Sequence, residues 1–447
     1  MRLLTKGVLV CVLVVGPLSA DQRFIVRVIG GRLPLNDACS VLGCNVVSSL
    51  EAPDGHLFLI STPDGPISTG IDSRHDGVVS KLSRVYDVVD IEPDLLVTVT
   101  QSSPPVPAAL YDSQPVPYFG GEVRHGYVSQ PAANIVRIQE THTTFGVAGT
   151  GTVAIIDTGV DPNHPVLRNV LVPGYDFTRN KEGYGSEVED LNQSTVAVVD
   201  DAGPAYVNGY TAATVGQPNA SILNNPQYAA FGHGTMVAGI VHLVAPQAMI
   251  MPFKVFHADG TGYTSDIVRA IYRATSAGAR VINMSFSMPN PSKALALAVD
   301  YATNVGVICV ASAGNHGLKT LVYPAAFQNV MGVASTTNYD NRSTFSNYGQ
   351  GLVWVAAPGE GIITTYPYGA YAATWGTSFS APFVSGTVAL LLDVRWNMGY
   401  SDAAQAIAHA KPLSAESANG WLNTFSDLGN GRLDIFLAVQ AARSPQF

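Results

Sequence analysis

From about residue 126 to 447, short runs that are apolar at almost every position alternate with stretches of helical pattern. The runs are Thr152 to Ile156, Met249 to Val255, Arg280 to Met284, Val305 to Ala311, Val330 to Ala334 and Val353 to Ala356. Helical patterns between them include Ser265 to Ala277 and Ser292 to Ala302. A strand with one wet face alternates apolar and polar residues, whereas one that is apolar throughout must be covered on both faces. The pattern therefore predicts an α/β domain on a mostly parallel sheet with helices on either side. Such sheets bind ligands at the carboxyl ends of their strands, and Asp157 stands directly after the first run.

The preceding segment reads differently. Residues 21–100 hold the strand-like runs Phe24 to Ile29 and Gly55 to Ile60, a helical pattern from Asn36 to Leu42, and a third strand, Leu95 to Val99. That mixture predicts a separate small α+β domain. Residues 101–125 carry Pro104, Pro105, Pro107, Pro115 and Pro117 and are expected to stay extended and accessible. Residues 1–20 combine Arg2 and Lys6, the apolar run Val8 to Val15, and Gly16-Pro17-Leu18-Ser19-Ala20. This is the pattern of a secretory signal peptide, with cleavage expected after Ala20 and an uncleaved anchor as the alternative. The run is shorter than the roughly 20 apolar residues that a membrane span needs.

Export also fits a chain that is 47% hydrophobic and only 13% charged, with a net charge of −9 and no basic run. That balance argues against nucleic acid as a partner. Cys39 and Cys44 are close enough in sequence to pair in an oxidising compartment. Cys11 would leave with the signal segment, and Cys309, inside an apolar run, reads as a buried small hydrophobe. No cysteine spacing suggests a zinc site.

Three segments carry chemistry: Val153-Ala-Ile-Ile-Asp157-Thr-Gly-Val160, Gly232-His233-Gly-Thr235 and Gly376-Thr-Ser378-Phe-Ser-Ala-Pro382. A serine hydroxyl is a poor nucleophile at neutral pH unless an imidazole takes its proton, and the imidazole needs a buried carboxylate to orient it and stabilise its charge. The segments supply these groups in the order Asp, His, Ser, with His233 76 residues after Asp157. Ser378 precedes an apolar helical pattern, Ala381 to Leu392, whose N-terminus would favour developing negative charge. The segment nearly matches the Gly-x-Ser-x-Gly elbow, but residue 380 is Ser, and that elbow belongs to the order Ser, Asp, His. A lipase-like reading fails on both counts.

All three segments resemble the signature blocks of the subtilisin-like serine proteases. So do Ala311-Ser-Ala-Gly-Asn315, Tyr323-Pro324-Ala325, Phe345-Ser-Asn-Tyr-Gly349, Ala357-Pro358-Gly359 and Gly429-Asn-Gly-Arg-Leu-Asp434, so the likeness spans nearly the whole chain. The resemblance implies a three-layer domain over residues 126–447 and a triad of Asp157, His233 and Ser378. It makes Asn315 the side-chain donor of an oxyanion hole. It implies that Ser285-Phe286-Ser287, with Gly260 and Gly262, offers backbone groups to an extended polypeptide substrate, and that Val322 lies near the floor of the P1 pocket. His164, also found in the family without catalytic duty, is read as structural. Val88-Val-Asp-Ile-Glu-Pro-Asp94 resembles the end of the family's propeptides, which implies that residues 21–100 act as folding helper and intramolecular inhibitor of a zymogen.

The chain also departs from the family pattern. Met236 and Phe379 replace a histidine and a methionine common beside the catalytic His and Ser, and Ser287 stands where glycine is usual. The stretch Ile240 to Gln247 lacks the loop that holds calcium in many secreted members. The chemistry needs no cofactor, and structural calcium has no firm support. Between Asp157 and His233 lies an insertion, roughly 170 to 228, whose Glu187, Glu189, Asp190, Asp200 and Asp201 could hold calcium but read better as a solvated loop. A P1 pocket shortened by Val322 would favour small or medium apolar residues.

The resulting reading is a serine endopeptidase, secreted or periplasmic, without nucleic-acid partners and free of the membrane once the signal is removed. A catalytically silent relative used for binding, and an esterase using the same triad, are the competing classes. An acid-acting Ser-Glu-Asp relative is excluded by the intact His233 block.

Overall fold

The computed structural model describes residues 22–29, 31–51, 55–62, 81–84, 88–97, 106–191, 211–215, 222, 225–416, 422–424 and 426–444. The signal-like segment, residues 101–105 of the Pro-rich stretch, and Asp200 and Asp201 lie outside them. The chain divides into two compact units between Asp94 and Leu95.

In the first unit, strands Asn45–Ser49, Leu57–Thr62, Gln22–Val28 and Val88–Pro93 form, in that order, one antiparallel sheet. The helix Arg32–Leu42 turns Leu35 and Cys39 into a core with Phe24, Val26, Val28, Phe58 and Ile60. Gly43 ends that helix in the left-handed region, φ 81°, its N–H returning to the Cys39 carbonyl. Glycine reaches this conformation without steric cost. The turn brings Cys44 back to Cys39, and the two form a disulfide. The strand Asn45–Ser49 has no counterpart in the sequence pattern. The expected strand at Leu95 to Val99 does not belong to this sheet, whose last strand is Val88–Pro93.

The second unit is built on an eight-stranded sheet ordered Lys181–Gly183, Gly174–Asp176, Met249–Lys254, Thr152–Asp157, Val281–Met284, Ile308–Ser312, Val330–Thr336 and Val355–Pro358. Every pairing is parallel except the edge hairpin of the first two strands. The central strands are buried at nearly every position, as continuous apolar runs demand.

Two helix pairs flank the sheet. Thr264–Ser276 is amphipathic, burying Ile267, Val268, Ala270, Ile271 and Ala274 at helical spacing, and it packs beside Lys293–Asn304. His233–Val244 and Thr377–Val394 pack against each other and are buried almost throughout. Thr377–Val394 is long and apolar enough to cross a membrane, but 89% of it is buried inside the protein, which makes it a core helix. A second, antiparallel sheet holds Thr211–Val215, Ala370–Thr374 and Ile362–Tyr366. Its Thr364 and Thr365 hydroxyls donate to the carbonyls of Met236 and Thr235, tying it to the His233 helix.

Candidate active site

Asp157 is the last residue of its strand, and its carboxylate is 2% exposed. The Thr158 N–H donates to Asp157 Oδ1 at 2.7 Å, and His233 Nδ1 lies 2.6 Å from the same oxygen. A carboxylate oxygen only accepts, so Nδ1 carries a proton at this bond. Backbone proximity makes this pair possible. The helix bearing His233 starts against the turn after Asp157, and a Cβ on Gly234 would stand 1.9 Å from the Gly159 carbonyl oxygen. The glycine after the histidine thus permits the close approach of these two segments.

Ser378 is the second residue of the helix Thr377–Val394, which begins four residues earlier than the apolar pattern indicated. The hydroxyl is buried and donates to the Ser285 carbonyl at 2.9 Å. In return, the Ser285 hydroxyl donates to the Ser378 carbonyl at 2.8 Å. Pro382 explains why that carbonyl is open. In an α-helix it would accept from the N–H four residues on, and proline has none. Behind Ser285 the chain of bonds continues. Asn283 Nδ2 donates to Ser285 Oγ at 2.9 Å, and the Ser385 hydroxyl donates to Asn283 Oδ1 at 2.8 Å. The Phe379 ring lies 5.2 Å from the His233 ring, so the starts of the two buried helices are neighbours.

Asn315 follows the strand Ile308–Ser312, and its Oδ1 accepts from the Thr377 N–H at 2.9 Å and the Thr377 hydroxyl at 2.8 Å. With the amide oxygen fixed against the first residue of the Ser378 helix, the Nδ2 donor is the end left for another acceptor.

The residues expected to bind substrate are distributed unevenly. Gly262 sits on the short strand Gly262–Tyr263, and Leu96–Val97 lies antiparallel on it, with Val97 opposite Gly262 and Leu96 opposite Tyr263. Gly260 forms the turn before that strand, its N–H closed onto the His257 carbonyl at 2.9 Å. Ser285 and Phe286 are both 1% exposed, the first engaged with Ser378 and the second stacked edge-on to Phe256. Ser287 is half-buried. A Cβ on Gly314 would stand 3.2 Å from Ser287 Oγ and 3.4 Å from Val322 Cγ2, so these three residues share one wall. His164 is buried, its Nε2 on the Ala370 carbonyl at 3.1 Å, as expected of a structural histidine.

The acidic insertion departs from the expected solvated loop where it is described. Glu187 is fully buried and its carboxylate collects the Thr158 hydroxyl at 2.8 Å, the Gly232 N–H at 2.9 Å, the Thr235 N–H at 3.2 Å and the Thr235 hydroxyl. Burial pushes its carboxyl up, against the pull of those donors and of Lys254. With four donors on its two oxygens and no acceptor for an acid proton, the group stands as the carboxylate. Lys254, also fully buried, donates to the carbonyls of Thr158 and Phe256 and to Asp190, which in turn pairs with Arg179. Arg179 also holds Asp176, and Lys181 holds Glu189. Asp190, Asp176 and Glu189 are therefore held by cations of the same chain. No group of three or more metal-ligating side chains occurs among the described residues. Nothing local announces this packing, because Ser-Glu-Val-Glu-Asp has the composition of a surface loop.

Residues 149–431 match the Subtilase family. Thermitase from Thermoactinomyces vulgaris is 35% identical over 288 residues, 64% of this chain and 88% of that protein. The thermophilic serine proteinase of Bacillus sp. (strain AK1) is 37% identical over 239 residues, 54% of this chain and 51% of its own length. Subtilisin BL of Lederbergia lenta is 41% identical over 169 residues, 36% of this chain and 62% of its own. Fervidolysin from Fervidobacterium pennivorans shares the fold with a TM-score of 0.67 over 94% of this chain and 61% of that one, at 22% identity. The chain belongs to the subtilase family and is a serine-type endopeptidase.

Proposed function

We propose that the protein is an exported endopeptidase made as a zymogen, with Asp157, His233 and Ser378 as its catalytic triad and Asn315 as its oxyanion donor. The observation that carries this reading is the 2.6 Å bond between His233 and a buried Asp157, beside the start of the helix that bears Ser378.

In this reading His233 Nε2 takes the proton of Ser378 Oγ as that oxygen attacks the scissile carbonyl, forming a tetrahedral oxyanion. The hydroxyl has one proton, so it must leave the Ser285 carbonyl and turn to the imidazole. Asp157 keeps Nδ1 protonated and stabilises the imidazolium. The oxyanion is held by Asn315 Nδ2 and the Ser378 N–H, aided by the field of the helix start. His233 then passes its proton to the leaving amine, the C–N bond breaks, and water resolves the acyl-enzyme by the same relay. None of these steps calls for a metal.

The strand Leu96–Val97 on Gly262–Tyr263 supports two further parts of the reading. An extended peptide would bind there by strand addition, which reads backbone and accepts many sequences. The segment present belongs to the same chain, as an intramolecular inhibitor would. The small unit before Leu95 then serves as the propeptide, and its disulfide fits an extracytoplasmic site, periplasmic or fully secreted.

The test is expression of wild type and Ser378→Ala in an exporting host, followed by N-terminal sequencing and a casein assay. Wild type should shed roughly the first 100 residues and digest casein, while the variant stays full length and inactive. A wild type that is folded but neither processed nor active would overturn the reading in favour of a silent relative.

A further inference from the structure

Glu187 is a buried carboxylate close to the triad that the proposed mechanism leaves without a task. It comes from the insertion between Asp157 and His233, and its two oxygens engage the segments on both sides of that pair. Oε2 accepts from the Thr158 hydroxyl, in the residue after Asp157, and from the Gly232 N–H, in the residue before His233. Oε1 accepts from the N–H and hydroxyl of Thr235, in the first turn of the His233 helix. The Thr158 hydroxyl, while donating to Glu187, accepts from the Gly234 N–H at 2.9 Å. The Thr235 hydroxyl likewise accepts from the Asp161 N–H at 2.8 Å. One carboxylate thus completes a closed set of bonds between the turn that carries Asp157 and the helix start that carries His233.

We propose that Glu187 is the positioning residue of the Asp157–His233 pair, fixing the separation of their two backbone segments so that the imidazole is held for proton transfer. The proposal rests on the triad reading above. A helix N-terminus has unpaired N–H groups, normally met by the side chain at the N-cap. Here the N-cap is Gly232, which has no side chain, and the helix has no side-chain cap of its own. Glu187 fills that place from elsewhere in the sequence, and by also holding Thr158 it makes the cap a clamp. The groups facing it are Asp157, Lys254, Tyr366 and Tyr368, with the four donors named above. A glutamine in its place would present an NH₂ where two donors already point. Since the backbone N–H groups cannot turn away, one side of the clamp would open.

The experiment compares wild type with Glu187→Gln and Thr235→Val. It measures kcat and KM on a chromogenic peptide and thermal unfolding of each protein. Misplacement of catalytic groups by about 1 Å costs on the order of 10²-fold. Each variant should lower kcat by about 10- to 100-fold, leave KM within about twofold and stay folded at the assay temperature. The double variant should be little worse than the weaker single one, because both open the same clamp. A folded Glu187→Gln enzyme with kcat close to that of wild type overturns the proposal. If Glu187→Gln does not fold, Thr235→Val decides, and full kcat in that variant overturns the proposal. An inactive wild type, by contrast, sinks the triad reading itself.

Discussion

Ser285 and Ser378 hold each other by two reciprocal hydrogen bonds, each hydroxyl donating to the other's backbone carbonyl. The pairing exists because Pro382 withholds the N–H that the Ser378 carbonyl would otherwise receive. Ser378 is therefore seated by a side chain from the neighbouring strand end, and Asn283 and Ser385 seat that side chain in turn.

Removing the Ser285 hydroxyl should leave the buried Ser378 carbonyl without a donor, at a cost of about 1–3 kcal/mol. Denaturant unfolding of Ser285→Ala in the Ser378→Ala background measures this without self-digestion. Adding Pro382→Ala, which restores an N–H to the helix, should recover part of the loss. No recovery would mean that the proline is not what opened the carbonyl.

Asn315 gives its amide oxygen to the Thr377 N–H and hydroxyl, so deleting the amide removes the Nδ2 donor together with one anchor of the helix start that bears Ser378. Asn315→Ala is expected to lower kcat by about 10²–10³ with KM changed only slightly, the range seen for loss of one oxyanion donor in the family's type enzyme. Steady-state kinetics check this. An equal rise in KM with unchanged kcat would place Asn315 in ground-state binding.

Val322, Ser287 and Gly314 share a wall, and the valine takes up room there. Val322→Gly should raise kcat/KM for a P1 phenylalanine relative to alanine by about tenfold or more, as a few methylenes of pocket space are worth. Matched peptide substrates differing only at P1 give the ratio. A ratio that does not move would remove Val322 from the pocket.

The fold is legible where burial is two-sided. Thr152–Asp157, Met249–Lys254, Val281–Met284, Ile308–Ser312 and Val330–Thr336 all lie within a few residues of the apolar runs that announce them. The hairpin of Ile362–Tyr366 and Ala370–Thr374 is not announced, because its threonines and alanines give neither an apolar run nor a clean alternation. The Ser378 helix starts earlier than its pattern suggests, since Ser-Phe-Ser before a proline lacks helical character on its own. Asp157, His233, Ser378 and Asn315 are readable from their local motifs. Glu187 is not, because a charged residue becomes a core residue only through partners distant in sequence.

Acid should weaken the protein through its buried histidines. His242 is pushed down to about 4, first by burial and then by His164, while His142 and His164 are also lowered by burial. The folded state resists a proton that the unfolded chain accepts below about pH 6.5. The stability tied to His242 is thus complete above about pH 6.5 and is lost as the pH falls towards 4, on the order of 3 kcal/mol. Because the raised Glu187 carboxyl has the opposite pH dependence, the test is a difference. Thermal unfolding between about pH 7 and pH 4 should show His242→Gln in the Ser378→Ala background losing less stability, or gaining more, than Ser378→Ala alone. An identical slope in the variant would assign acid sensitivity to other groups.

The helices that start at His233 and at Thr377 are buried almost throughout and pack on each other in the second unit. Neither can be withdrawn without opening the core, so Ser378 and His233 come together in the same event that completes the domain. In the proposed zymogen reading, restraint would be applied from outside the core, by the pairing of Leu96–Val97 with Gly262–Tyr263. Timing of activity then becomes a question of how long one short stretch of chain stays in place, rather than of any rearrangement within the domain.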